Sequence, residues 1–195
     1  LDYAILSEET EDDATRLDAD VVFIIDPIDG TRSFLNRHEN FATSIAIARG
    51  GVVTEAVVHL PAKGLTFTAR RGAGAWLNEN RIFAGDRDEI KGARILASGS
   101  QTRGDLWRDA PPPIERHFRS SLAYRLCLVA QGRFDGMMTL RPTWEWDVAA
   151  GHLICTEAGA DVKTQDNETP VYNSKDAKMN GLIAGNAANV KGVLQ

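Results

Sequence analysis

The sequence predicts a layered α+β fold. Residues 41–70 hold three strand-like segments separated by glycine and proline turns, the C-terminal half alternates helical and strand patterns, and no internal repeat interrupts either. With 195 residues, 43% of them hydrophobic, there is enough apolar material for one sizeable core or for two small layers sharing one.

Ala4, Ile5 and Leu6 read as a strand fragment, and the acidic run 8–13 after them as a solvated loop. Residues 21–25, VVFII, are a continuous apolar run between Asp20 and Asp26-Pro27, the pattern of a strand buried on both faces. Segments 41–48, 52–59 and 65–70 follow, punctuated by Gly50-Gly51 and by the stretch from Pro61 to Gly64. An antiparallel meander is expected, continuing through a turn at Gly72 and Gly74 into a short strand. Residues 85–91 are polar, 94–97 return as a strand, and Pro111 to Pro113 mark an extended connection. Residues 122–130 have helical spacing, with Leu122, Leu126, Val129 and Ala130 on one face and Gly132 placed to end the helix. A strand over 134–140, a helix over 147–158 terminated by Gly159, and a late strand over 181–184 complete the reading. Trp76 and Trp107 read as packing residues.

The net charge of −5 argues against non-specific binding to nucleic acid or to an anionic membrane, so neither is an expected partner. It leaves an anionic small molecule open, because clustered carboxylates recruit divalent cations. Cys127 and Cys155 both sit in apolar segments, which favours two buried thiols over a disulfide and suits a reducing cytoplasm, the expected location. No stretch approaches the ~20 apolar residues that span a bilayer.

The informative segment is VVFIIDPIDGTRSF. A strand ends at Asp26, Pro27 has no N–H with which to continue the ladder, and Gly30 permits a sharp bend. Thr31 then stands where a short helix can start, as a plausible N-cap beside N–H groups suited to phosphate. Asp26 and Asp29 converge there; alone they would repel and raise their pKa values, and a divalent cation removes the conflict. Mg²⁺ takes hard oxygen ligands and keeps waters, leaving room for a substrate phosphate. The second element is Trp144-Glu145-Trp146-Asp147, with Asp147 at the start of an apolar helix. A lone Asp there is most often only an N-cap, but close behind two tryptophans it is a candidate metal ligand. Glu145 reads as a rim residue. The third element is Ser7-Glu8-Glu9-Thr10, after a strand end. His38, His59, His117 and His152 have no spacing that puts two on one ligand face.

Ser-Glu-Glu at 7–9, Asp-Pro-Ile-Asp-Gly-Thr at 26–31 and Trp-Asp-Val-Ala-Ala-Gly at 146–151, in that order, resemble the three motifs of the inositol monophosphatase superfamily. The likeness covers essentially the whole chain. It implies an αβαβα layered sandwich, with the pair of long helices that such proteins carry before the Glu-Glu element lying outside this sequence. Residues 1–92 would form the metal-binding part with the meander, and 93–195 the part carrying the third metal Asp and the substrate cleft. The resemblance further implies two or three Mg²⁺ ions and sensitivity to lithium. Glu8, Asp26 and the Ile28 carbonyl would hold one ion, and Asp26, Asp29 and Asp147 a second. Thr31 with Glu8 would orient the attacking water, and the Gly30 and Thr31 amides would hold phosphate oxygens. The expected activity is hydrolysis of a small phosphorylated metabolite, with a homodimer as a candidate assembly.

Inositol-specific members place a Glu seven residues before the metal Asp; Leu140 stands there in this chain. The run Ser120-Ser121-Leu122-Ala123-Tyr124-Arg125 is similar to bisphosphate nucleotidases of the CysQ type, whose serines line the substrate cleft. Arg141 and Arg125 could supply charge for a second phosphate. A 3′(2′),5′-bisphosphate nucleotide is therefore the expected substrate. The alternatives are inositol-1-phosphate, histidinol phosphate, or a non-catalytic regulatory role in which metal and phosphate are bound without turnover.

Overall fold

Apolar side chains at every second position build a seven-stranded sheet from the first half of the chain. The computed structural model describes residues 3–12, 14–107 and 110–194. Strands β1 (Ala4–Ser7), β2 (Val21–Asp29), β3 (Ala42–Arg49), β4 (Val52–Leu60), β5 (Leu65–Arg70), β6 (Gly74–Leu77) and β7 (Asn80–Ile82) lie side by side in chain order. All neighbours are antiparallel except β1, which runs parallel to β2. The second sheet has the order β11 (Asp161–Lys163), β12 (Lys178–Gly185), β10 (Gly136–Trp144), β8 (Arg94–Leu96), β9 (Glu115–His117). Helix α1 (Thr31–Leu35) is a short turn after β2; α2 (Leu122–Ala130), α3 (Glu145–Glu157) and α4 (Ala187–Leu194) are longer.

Helices α2 and α3 lie between the sheets, α3 touching β2 to β6 on one side and β10 to β12 on the other. Helix α4 covers the far face of the second sheet against β11 and β12. The result is a layered α+β sandwich, as expected. Its main core joins Leu6, Ile24, Leu60 and Phe67 of the first sheet to Leu126, Leu128 and Ile154 of the middle helices. A smaller core under α4 contains Ile95, Met138, Leu140, Ile183, Val190 and Val193. Gly151 sets the α2–α3 spacing, since a Cβ there would stand 2.5 Å from Leu126 Cδ1.

Several sequence expectations need correction. The run at 21–25 is not buried on both faces: Val22 and Ile24 are buried, whereas Val21, Phe23 and Ile25 are only half-buried. The same open face carries exposed Ile5, Val57 and Trp76, so Trp76 is not a core residue. A continuous apolar run says that both faces are apolar, not that both are covered. Helix α3 starts at Glu145 rather than Asp147, with Trp144 as its N-cap. The acidic run is exposed over residues 8–12, as expected, and Asp13 lies outside the described residues; Arg16, in the turn just after the run, is 1% exposed and pairs with Asp12. Helix α4 and the three-residue strands β9 and β11 were not foreseen from the sequence.

Candidate metal centre and active site

In an unbroken strand, residues three apart point to opposite faces. Asp26 follows Val22 and Ile24 on the inner face of β2, so Asp29 should point outward. The β2–β3 register shifts between these two residues, at the proline that cannot donate to the ladder, and Asp29 turns inward as well. Both carboxylates are buried, at 1% and 6% exposure. The turn is fixed by the Ile28 amide, which donates to Asp26 Oδ1 at 2.9 Å, and by Thr43 Oγ1, which donates to the Pro27 carbonyl at 2.9 Å.

Asp29 ends at the N-terminus of α2. Its Oδ2 accepts from Ser121 Oγ and the Ala123 amide, both at 2.7 Å, and its Oδ1 accepts from the Leu122 amide at 3.2 Å. A helix N-terminus has unsatisfied N–H groups and a positive dipole end, so it holds a carboxylate well. Asp147 is the third residue of α3, half-buried, and accepts from Thr143 Oγ1 at 3.3 Å. The start of α3 is tied to β3 by Ser44 Oγ, which donates to the Trp146 carbonyl at 3.1 Å.

These elements bring one carboxylate oxygen each from Asp26, Asp29 and Asp147 within 4.8 Å of one another. Burial, and then the charges of Asp29, Glu8 and Asp147, push the Asp26 carboxyl up to about 8. Burial with the charges of Asp29 and Glu8 pushes Asp147 up to about 7. Burial raises Asp29 as well, against the lowering effect of its three hydrogen bonds and of the Arg125 charge. Three hard oxygen donors that repel one another fit a divalent cation such as Mg²⁺, which would relieve the repulsion.

Glu8 stands outside this group. It is exposed on the loop after β1, its amide donates to the Ile25 carbonyl at 3.4 Å, and only its charge reaches Asp26 and Asp147. Thr31 is not the N-cap of α1. Gly30 is, at φ 93°, and its carbonyl accepts the Ser33 and Phe34 amides. A Cβ at Gly30 would sit 3.0 Å from the Asn40 carbonyl, so the backbone passes too close for a side chain. The exposed Thr31 hydroxyl donates to the Ile28 carbonyl at 3.1 Å.

Of the two serines expected to line a cleft, Ser120 lines one beside the carboxylate group and Ser121 does not. Ser121 is buried, and its hydroxyl is committed to Asp29 and to the Tyr124 amide, so it braces a carboxylate instead of lining a cleft. Ser120 pairs with Ser33 Oγ at 2.6 Å and donates to the Asn40 carbonyl at 2.9 Å. Arg141 is exposed on β10. Arg125 is buried over the Phe118 ring, where its charge acts on Asp29 and Asp147. Leu140 points into the core under α4, so it cannot stand in the cleft where a substrate-binding Glu would.

Sequence reasoning also missed a buried clamp. Glu145 is fully buried rather than at the rim, and its carboxylate accepts the Asn173 and Ser174 amides at 2.6 and 2.9 Å. Arg16 bonds Asn173 Oδ1 and the Ser174 carbonyl at 2.7 and 2.9 Å, and pairs with Asp12 at 2.6 Å. The loop that carries Glu8 is thereby fastened near the first turn of α3, two residues from Asp147. No local pattern signals this, because the partners lie 157 and 158 positions from Arg16.

The chain matches the model of the inositol monophosphatase family over residues 2–194. It is 38% identical over 167 residues to Nus factor SuhB of Haemophilus influenzae, across 81% of this chain and 61% of that protein. It is 36% identical over 166 residues to inositol-1-monophosphatase of Rhizobium meliloti, across 80% of this chain and 61% of that protein. The chain thus spans less than two thirds of the length of these curated relatives. The crystal structure of CysQ from Bacteroides thetaiotaomicron superposes with a TM-score of 0.79 at 29% identity, covering 94% of this chain and 77% of that one. Matched along nearly its whole length and carrying the three acidic motifs in order, the chain belongs to the inositol monophosphatase family.

Proposed function

We propose that the protein is a Mg²⁺-dependent phosphomonoesterase acting on a small phosphorylated metabolite. The observation that carries this reading is the convergence of Asp26, Asp29 and Asp147 beside the Gly30–Thr31 turn. Asp26, Asp29 and Asp147 would hold one ion, and Asp26 with the Ile28 carbonyl and Glu8 another. Bound Mg²⁺ would supply the positive charge that a transferring phosphoryl group needs. The Gly30 and Thr31 amides would orient phosphate oxygens, and Thr31 with Glu8 would position the attacking water. Glu8 must approach the carboxylate group for that role, a movement that removing the repulsion would favour. Ser121 and the α2 amides aim Asp29 and favour its ionised form against the effect of burial.

For the substrate, likeness to CysQ supports a 3′(2′),5′-bisphosphate nucleotide, and likeness to inositol-1-monophosphatase supports inositol-1-phosphate as the alternative. Phosphate release from adenosine 3′,5′-bisphosphate, inositol-1-phosphate and histidinol phosphate, with and without Mg²⁺, tests both levels of the reading. Release that requires Mg²⁺ and is fastest with the nucleotide is the expected result.

Relatives named Nus factor SuhB favour a second reading, a regulatory binding protein that holds metal and phosphate without turnover. Binding of substrate with Mg²⁺ but no phosphate release would select it.

A further inference from the structure

Beside the carboxylate centre, across Gly30 and Ser121, lies an open cleft of about 750 Å³. That volume falls within the range of small-molecule sites. Its wall is made by the last turn of α1, the residues after it, Lys63 and the segment leading into α2. Arg32, Arg37, Lys63 and Arg119 line it, against a single carboxylate, Glu39, which is occupied by Lys63 at 3.1 Å. Among the described residues, neither Arg32 nor Arg37 has a carboxylate partner. Arg119 donates to the Phe118 carbonyl at 2.7 Å and lies over the Phe134 ring. Four cations facing one cavity in a chain of net charge −5 is a segregation of charge that a merely solvated surface does not require. The floor is rigid: the Ser33–Ser120 hydroxyl pair, anchored on the Asn40 carbonyl, belongs to the same two segments that aim Asp29.

We propose that this cleft is a second anion subsite, taking a phosphate group other than the one held at the carboxylate centre. Guanidinium groups without carboxylate partners offer paired N–H donors to phosphate oxygens. The phosphate has two sources: the distal phosphate of a bisphosphate substrate, which rests on the phosphomonoesterase reading, or a free phosphate-class effector, which does not.

Calorimetric binding of adenosine 3′,5′-bisphosphate and of inorganic pyrophosphate, without divalent metal, tests the subsite directly. Arg32→Gln/Arg37→Gln should weaken both ligands at least tenfold, and Glu39→Gln should tighten them, an opposite change that a folding defect cannot produce. Turnover with Mg²⁺ separates the sources. If the subsite takes the substrate's own phosphate, the double variant loses at least tenfold in kcat/KM for the bisphosphate and stays within twofold for inositol-1-phosphate. If it takes a free effector, both kcat/KM values stay unchanged while pyrophosphate binding is lost. The proposal is overturned if wild type binds neither ligand without metal, or if both variants bind them as wild type does. Absence of turnover with binding intact would reject the phosphatase reading and leave the subsite standing.

Discussion

Ser121 donates its hydroxyl to Asp29 Oδ2 at 2.7 Å while accepting the Tyr124 amide at 3.0 Å, so one side chain both caps α2 and aims a candidate metal ligand. The two residues are 92 positions apart, and their contact joins the end of β2 in the first sheet to the helix layer. Stability and metal binding are therefore coupled at this point. Ser121→Ala should cost about 1–2 kcal/mol in urea unfolding, the usual loss for a helix cap. It should also weaken Mg²⁺ several-fold by calorimetry. Unchanged Mg²⁺ affinity would show that Asp29 needs no brace.

Asp26→Asn should reduce phosphate release at least a hundredfold while the protein stays folded. Asp26 is proposed to serve both ions, so one neutral amide weakens two sites together. A variant keeping more than about a tenth of wild-type kcat, a barrier change under ~1.4 kcal/mol, would mean that Asp26 does not bridge.

The metal-free protein should lose stability as pH rises from about 6.5 to 8. Asp26 and Asp147 are raised in the folded state to about 8 and about 7, far above an unfolded carboxyl. The folded state therefore binds more protons, and its advantage disappears as pH climbs through those values. His152 works the other way: burial, with the Arg71 charge, lowers it to about 4, so its contribution is lost as pH falls below about 6.5. Above that pH His152 is largely neutral in both states, and the carboxylates are read alone. Thermal melts at pH 6.5 and 8 should show a fall in wild type, less in Asp26→Asn, and little with saturating Mg²⁺. A wild-type profile that is flat or rising over that window contradicts the account.

Arg16→Met should cost about 2–3 kcal/mol. This is less than the ~3–5 for breaking a fully buried ion pair, because Asp12 remains 34% exposed and can rehydrate. It should also lower Mg²⁺ affinity without touching the metal, by releasing the Glu8 loop from the start of α3. Arg16→Lys should restore part of both. Equal Mg²⁺ affinity in wild type and Arg16→Met would limit the clamp to folding.

Leu140→Ala should destabilise by about 2–4 kcal/mol, the range for a core leucine, and leave the ratio of kcat/KM values for nucleotide and inositol phosphate unchanged. Leu140 packs under α4, so a shift in that ratio would place its side chain nearer the cleft than its packing indicates.

The local chemistry was legible in the sequence. Asp26-Pro27-Ile28-Asp29-Gly30 announces a strand end, a missing donor and a tight turn within five residues, and the meander, α2 and α3 follow from apolar periodicity and glycine stops. These are short-range properties, determined by backbone sterics and by which side chains alternate. Long-range pairing was decided only by the tertiary structure. That Ser121 serves Asp29, that Glu145 is buried under Asn173 and Ser174, and that Arg16 closes the Glu8 loop all depend on residues brought together across the sheets. The direction in which Leu140 points depends on the irregular register of β10 and on α4, neither of which periodicity reveals. A carboxylate motif names its ligands from the sequence; the hydrogen bonds that aim them come from whichever elements the core packs beside them.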